Sequence, residues 1–183
     1  MTEKTIMGID PGTNLLGFGV IRVSGRNVAF VDMGVLDMRK EKDHFGKLRM
    51  LGEKMDELLD RYRPDELSVE SPFCGKNPQV MLKLGRAQGA AMIAAMRRGI
   101  HVEEYAPRKA KIAITGIGAA SKEQVSIMIR KILGISIAPE HLDATDALAL
   151  ALCHYYHITS PLVSASSSGD WKHFLETHPE RIK

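Results

Sequence analysis

Three apolar, β-branched runs follow one another at the start of the chain, and only after them do strand-like and helix-like segments alternate. Lys4–Asp10 is closed by Pro11-Gly12, and Leu15–Ser24 and Val28–Met38 are joined at the turn sequence Gly25-Arg26-Asn27. Phe45, Leu48, Leu51, Met55, Leu58, Leu59 and Tyr62 then recur at helical spacing up to Pro64. A short strand, Glu66–Glu70, precedes a helix opened by Pro78 and running to about Arg98, with Gly99 as its cap. Ile100–Tyr105 is a fifth strand. A meander followed by strand–helix alternation predicts an α/β fold, a mixed five-stranded sheet flanked by helices.

The remaining segments are helical. A basic turn of helix starts at Pro107, Gly116-Ile117-Gly118 interrupts it, and Ser121 with Gln124 forms a capping-box pattern for the next helix. The last helix is expected from near Pro139 to about Tyr156. From Ile158 the sequence turns polar, almost all Ser over Ser164–Ser168. The division expected is therefore one domain over 1–157 and a polar, flexible tail over 158–183. In the second helix Gly85, Ala87, Gly89, Ala90, Ala91, Ala94 and Ala95 permit close backbone approach. That lining serves either packing on the sheet or a seam between two copies.

Composition excludes some classes and hides one signal. A chain of 183 residues with 44% hydrophobic and 26% charged residues suits a single soluble domain. Cys74 and Cys153 have no metal-ligand spacing and read as reduced thiols of a cytoplasmic protein. Neither a signal peptide nor a membrane span is expected, since Ala144–Cys153 is too short an apolar stretch. The net charge of +3 is mild, but it is a cancellation. Met1–Phe73 is net −2, Cys74–Lys131 net +8 and Ile132–Lys183 net −3. A basic middle third is either a solvated helical surface or the face toward a polyanion.

Four carboxylates sit where core-forming patterns do not put them. Asp10 ends the first strand, Glu70 ends the fourth, and Asp143 and Asp146 share one face at the start of the last helix. If the first and fourth strands are parallel neighbours, Asp10 and Glu70 leave the same sheet edge, where open α/β sheets place their active sites. Singly, these acids read as a turn residue, a surface residue and first-turn helix carboxylates. Together, converging carboxylates repel unless they hold protons or bind cations. An all-oxygen set without His or Cys favours Mg²⁺, with Mn²⁺ as substitute. Two such ions ~3.5–4 Å apart suit in-line phosphoryl displacement.

Short motifs follow one another in order along the chain: Gly8-Ile9-Asp10-Pro11-Gly12-Thr13, Gly17-Phe18-Gly19-Val20, Val69-Glu70-Ser71-Pro72-Phe73 and Lys83-Leu84-Gly85-Arg86-Ala87-Gln88-Gly89. Glu104-Tyr105-Ala106-Pro107, Gly116-Ile117-Gly118, Lys122-Glu123-Gln124-Val125 and Asp143-Ala144-Thr145-Asp146-Ala147-Leu148-Ala149 continue the series. In these motifs the chain resembles the RuvC family of Holliday-junction resolvases. The resemblance implies a ribonuclease-H-like fold and a structure-selective endodeoxyribonuclease of recombination and repair. Asp10, Glu70, Asp143 and Asp146 would form its Mg²⁺ site, and paired cuts would leave 5′-phosphate, ligatable nicks. By the same resemblance Phe73 stacks on an unpaired base, although a core aromatic is the alternative reading. Lys111 and Lys122 occupy positions where the family carries basic residues near the scissile phosphate. Lys76, Arg86, Arg108 and Lys109 are weaker backbone-contact candidates, each equally readable as solvated surface. The implied partners are a four-way junction, a second copy of the chain as homodimer, and the RuvA and RuvB branch-migration proteins.

Two other readings compete. ATPases of the actin, sugar-kinase and Hsp70 class open with a similar Asp-x-Gly-Thr turn. They need two such domains, more than 183 residues supply, and no second such turn follows. A non-catalytic binder of branched DNA has no use for a complete set of four acids.

Overall fold

The computed structural model describes residues 3–71, 77–136 and 139–160. Its elements are β1 (Lys4–Asp10), β2 (Leu15–Ser24), β3 (Asn27–Asp37), α1 (His44–Tyr62), β4 (Glu66–Glu70), α2 (Pro78–Met96), β5 (His101–Tyr105), α3 (Pro107–Thr115), α4 (Lys122–Leu133) and α5 (Leu142–Thr159). The five strands form one sheet in the order β3-β2-β1-β4-β5. β1, β2 and β3 are antiparallel, and β4 and β5 run parallel to β1, so the sheet is mixed as expected. Ser24 pairs with Asn27, which narrows the hairpin turn to Gly25 and Arg26, and Gly25 takes the positive φ of 61° the turn requires.

Alternation along the strands gives the sheet two apolar faces. Met7, Ile9, Phe18, Val20, Leu67 and Val69 point toward α1 and α2, joining Leu51, Met55, Leu59 and the alanines Ala87, Ala91, Ala94 and Ala95. Ile6, Ile21 and Val23 point the other way, into a core with Ile114, Val125, Ile129, Leu148 and Leu152 from α3, α4 and α5.

Glycine spacing brings α5 unusually close to the sheet. A Cβ at Gly8 would lie 1.9 Å from the Ala147 carbonyl oxygen, one at Gly17 2.1 Å from the Asp143 carbonyl oxygen, and one at Gly19 2.6 Å from Leu148. Helix backbone therefore rests on strand backbone at all three positions.

Several boundaries differ from the sequence expectations. α5 starts at Leu142, after an N-cap at His141, rather than near Pro139. It continues to Thr159 rather than Tyr156, because Ile158 still packs on the Ile6–Ile129 core. Ile158 and Thr159 are thus the last turn of α5, one turn beyond the expected end of the helix. α2 stops at Met96, and Gly99 follows with φ of 72°. Phe45, placed by spacing on the buried stripe of α1, is exposed in its first turn. In α2 the alanines pack inward, while Gly85 and Gly89 face open space. The capping box of Ser121 and Gln124 is present at the start of α4. No helix among the described residues is long and apolar enough to cross a membrane.

Candidate active site

β1 and β4 pair in parallel up to Ile9 and Val69, so the next residues, Asp10 and Glu70, leave the same sheet edge side by side. α5 begins above that edge. Gly17 pairs with Asp10 across β1 and β2, and its bare backbone admits the first turn of α5. Carboxylate oxygens of Asp10, Asp143 and Asp146 consequently all lie within 4.8 Å of one another. Glu70 adjoins them, lining a cavity of about 160 Å³ with Asp10, Asp146, Lys111, Lys122 and Pro107.

The electrostatics are those of crowded acids in a half-dry cleft. Burial, then the neighbouring Glu70 charge and a hydrogen bond with Glu70, holds Asp10 well above the usual carboxylate range. Glu70 is raised by burial and by Asp146, against its hydrogen bond with Asp10. Asp146 is raised as well, again by burial first. Both carboxyls of the Asp10–Glu70 pair are thus held above the ordinary range, with burial the largest cause for each. Lys122, the first residue of α4, supplies countercharge. Its Nζ lies 2.6 Å from Asp146 Oδ2, 2.8 Å from Asp143 Oδ1 and 3.8 Å from Asp10 Oδ2. Burial opposes the ammonium charge, but the two close carboxylates outweigh it and hold Lys122 above the ordinary lysine range.

The donor set fits a hard divalent cation. Carboxylate oxygens converge with no sulfur or imidazole among them, and they are short of positive charge. Asp10, Asp143 and Asp146 are the residues that would hold the ion, with Glu70 at its side.

Comparison with known proteins bears on this geometry. The sequence pattern of the family described as "Crossover junction endodeoxyribonuclease RuvC" matches residues 6–154. The chain belongs to the RuvC family. It is 50% identical to the RuvC of Bacteroides fragilis over 183 residues, covering 99% of this chain and 97% of the relative. To the RuvC of Christiangramia forsetii it is 48% identical over 182 residues, covering 100% and 94%. It also resembles the Thermus thermophilus RuvC solved with a Holliday junction substrate, at 34% identity and TM-score 0.79. That likeness covers 85% of this chain and 95% of that one. The yeast mitochondrial Holliday junction resolvase, at 13% identity and TM-score 0.59, shares the fold. RuvC membership carries the ribonuclease-H-like architecture and a metal-dependent nuclease with it, and leaves the ATPase reading without support.

The structure brings together some of the sequence candidates and not others. Asp10, Glu70, Asp143, Asp146, Lys111 and Lys122 share one cleft. Arg108 is on exposed α3, its side chain lying against Gly118. Lys109 turns its ammonium over the Tyr105 ring, 4.8 Å from the centroid. Arg86 is exposed on the outer side of α2. Phe73, Cys74 and Lys76 lie outside the described residues, as does the segment 161–183. Sequence reasoning missed Gln88, whose Nε2 donates to the Glu70 carbonyl at 3.1 Å and to Glu104 Oε1 at 2.5 Å. Its position on an otherwise alanine-lined buried face is the signal that would have found it.

Proposed function

We propose that the protein resolves four-way DNA junctions by hydrolysing one phosphodiester in each of two symmetric strands. The convergence of Asp10, Asp143 and Asp146 beside Lys111 and Lys122 carries this reading, in a chain of the RuvC family. Mg²⁺, two ions by the sequence resemblance and replaceable by Mn²⁺, would supply Lewis acidity toward the phosphate and a water of lowered pKa. The carboxylates bind and orient the cation. Lys111 lines the same cavity as Lys122, where its charge would offset that gathering on a phosphate during displacement. Lys122, paired with Asp143 and Asp146, would serve the same task when those carboxylates hold a cation instead. Phe73 stacks on a base opened at the crossover, and Arg86, Arg108, Lys76 and Lys109 add salt-sensitive backbone attraction. Products would be 5′-phosphate nicks that a ligase can seal, and by the family resemblance the protein would act in the cytoplasm with RuvA and RuvB as partners.

Two cuts related by symmetry call for two copies of the site. The outer face of α2 supports a homodimer. Leu82, Ile93 and Met96 are each more than half exposed there, and Gly85 and Gly89 lie between them with no neighbour within 4 Å. The spacing 82, 85, 89, 93, 96 makes one helical stripe whose glycines let a second helix approach closely. Ile93→Glu is expected to convert the dimer to monomer in sedimentation or light scattering, and to uncouple the two cuts. A dimer unchanged by this substitution places the interface elsewhere.

The test of the activity uses a labelled synthetic four-way junction and a matched linear duplex, with Mg²⁺ and with chelator. Paired nicks in the junction alone, lost in chelator, are expected. No cutting of several junction sequences with either Mg²⁺ or Mn²⁺ refutes the reading. ATP hydrolysis without DNA would instead revive the nucleotide-binding alternative.

A further inference from the structure

Every element that carries an acid into the site carries, at its other end, one member of a second polar cluster. β1 runs from Lys4 to Asp10, β4 from Glu66 to Glu70, and α5 holds Asp143 and Asp146 in its first turns and His154 further on. Lys4, Glu66 and His154 meet beneath the sheet edge opposite the acids. Glu66 accepts from Lys4 Nζ through Oε1 and from His154 Nε2 through Oε2. A carboxylate bonded in this way only accepts, so Nε2 carries the ring proton and Nδ1 accepts from the Tyr105 hydroxyl at 2.7 Å. Tyr105 closes the frame on the other side, since its carbonyl accepts from Ser71 N at 2.9 Å, directly after Glu70. The His154 side chain is 2% exposed and that of Glu66 10%.

The spacing makes this cluster a ruler. Four strand residues from Glu66 to Glu70 span ~13 Å. Eight helical residues from His154 back to Asp146 span ~12 Å. When Glu66 and His154 are level at one end, Glu70 and Asp146 are level at the other. Much of the remaining contact of α5 with the sheet is apolar, through Ala144, Ala147, Leu148, Ala151 and Leu152, and apolar burial has no preferred direction. The hydrogen bonds of His154 do, and they weaken steeply with misalignment.

We propose that His154, clamped between Tyr105 and Glu66, is a positioning residue that sets the register of α5 on β4 and thereby the spacing of Asp143 and Asp146 from Asp10 and Glu70. This rests on reading those acids as a cation site. His154 touches neither substrate nor cation. Its contribution is geometric, and a misplacement of ~1 Å in such a site costs ~10²-fold in rate.

His154→Phe keeps the ring and removes both hydrogen bonds, while His154→Gln retains one donor and one acceptor. Mn²⁺ affinity of the DNA-free full chain is measured by calorimetry, junction binding in chelator, and cutting as a function of Mg²⁺. His154→Phe is expected to weaken Mn²⁺ binding about tenfold and to raise the Mg²⁺ needed for half-maximal cutting by a similar factor. Junction binding in chelator stays within about twofold, and His154→Gln recovers most of the loss. A variant that melts earlier yet binds Mn²⁺ like the wild type overturns the proposal, because His154 is then only a core residue. If His154→Phe does not fold, Tyr105→Phe decides by the same Mn²⁺ measurement: weakened binding supports the proposal and unchanged affinity overturns it. Wild-type protein that binds Mn²⁺ but never cuts a junction refutes the nuclease reading alone. Wild-type protein that binds no Mn²⁺ refutes the cation site and this inference with it.

Discussion

Asp10→Asn is expected to abolish junction cutting, by about 10³-fold or more, and at the same time to raise the melting temperature of the metal-free protein at pH 7–8. Both effects come from one cause. Burial first, and the Glu70 charge second, push the Asp10 carboxyl far above its unfolded value of 3.8. The folded protein therefore binds this proton more tightly than the unfolded chain does. By linkage, stability is undiminished below the unfolded value and falls as pH rises through the raised folded value. At neutral pH the wild type carries that loss, offset in part by Lys122. Asn cannot ionise, so it removes the loss together with the ligand. In chelator, the wild-type melting temperature should decline between pH 5 and 8.5, and that of Asp10→Asn should decline less. Each kcal/mol corresponds to about 2–4 °C in a chain of this size. Mg²⁺ should restore the wild type and leave the variant unmoved. A variant that melts earlier than the wild type, with the pH slope intact, would show that the acids are not in conflict.

The acids were legible because a charge at the end of an apolar run has no place in a two-faced core. Ile6 to Ile9 and Leu67 to Val69 announce buried strands, and Asp10 and Glu70 stand just where burial ends. The elements were legible for the same reason, since both periods are written into local sequence. What was not legible depends on partners distant in the chain. Glu66 reads as one more acid flanking a strand until His154, 88 residues later, is found against it. Lys122 stands out in the sequence only by its place in the family resemblance, and nothing local says that α4 delivers it between Asp143 and Asp146. The start of α5 was misplaced because Pro139 is a helix-start signal, whereas His141 is the residue at the cap. Gly8, Gly17 and Gly19 were visible as a motif, but nothing local says that a helix backbone lies on them.

Those glycines set the second large expectation, that Gly17→Ala damages the site more than its single added carbon suggests. A Cβ there would lie 2.1 Å from the Asp143 carbonyl oxygen and 2.5 Å from its carbon. Both are helix backbone, so no side-chain rotation relieves the overlap. Gly17 is held in the β1–β2 ladder opposite Asp10, which leaves α5 as the element that must lift. Lifting its first turn carries Asp143 and Asp146 away from Asp10 and breaks the cation site open. Overpacking of this kind costs ~1–3 kcal/mol or more. Displacement by ~1 Å predicts a further ~10²-fold loss of cutting in the fraction that stays folded. Gly52→Ala, in the middle of α1 with nothing within 4 Å, is the matched control and should stabilise by ~0.5–1 kcal/mol. Mn²⁺ affinity and cutting rate, measured on protein verified as folded by circular dichroism, separate the two substitutions. Wild-type cutting by Gly17→Ala would mean that α5 does not need to touch the sheet at Asp10 for the acids to work.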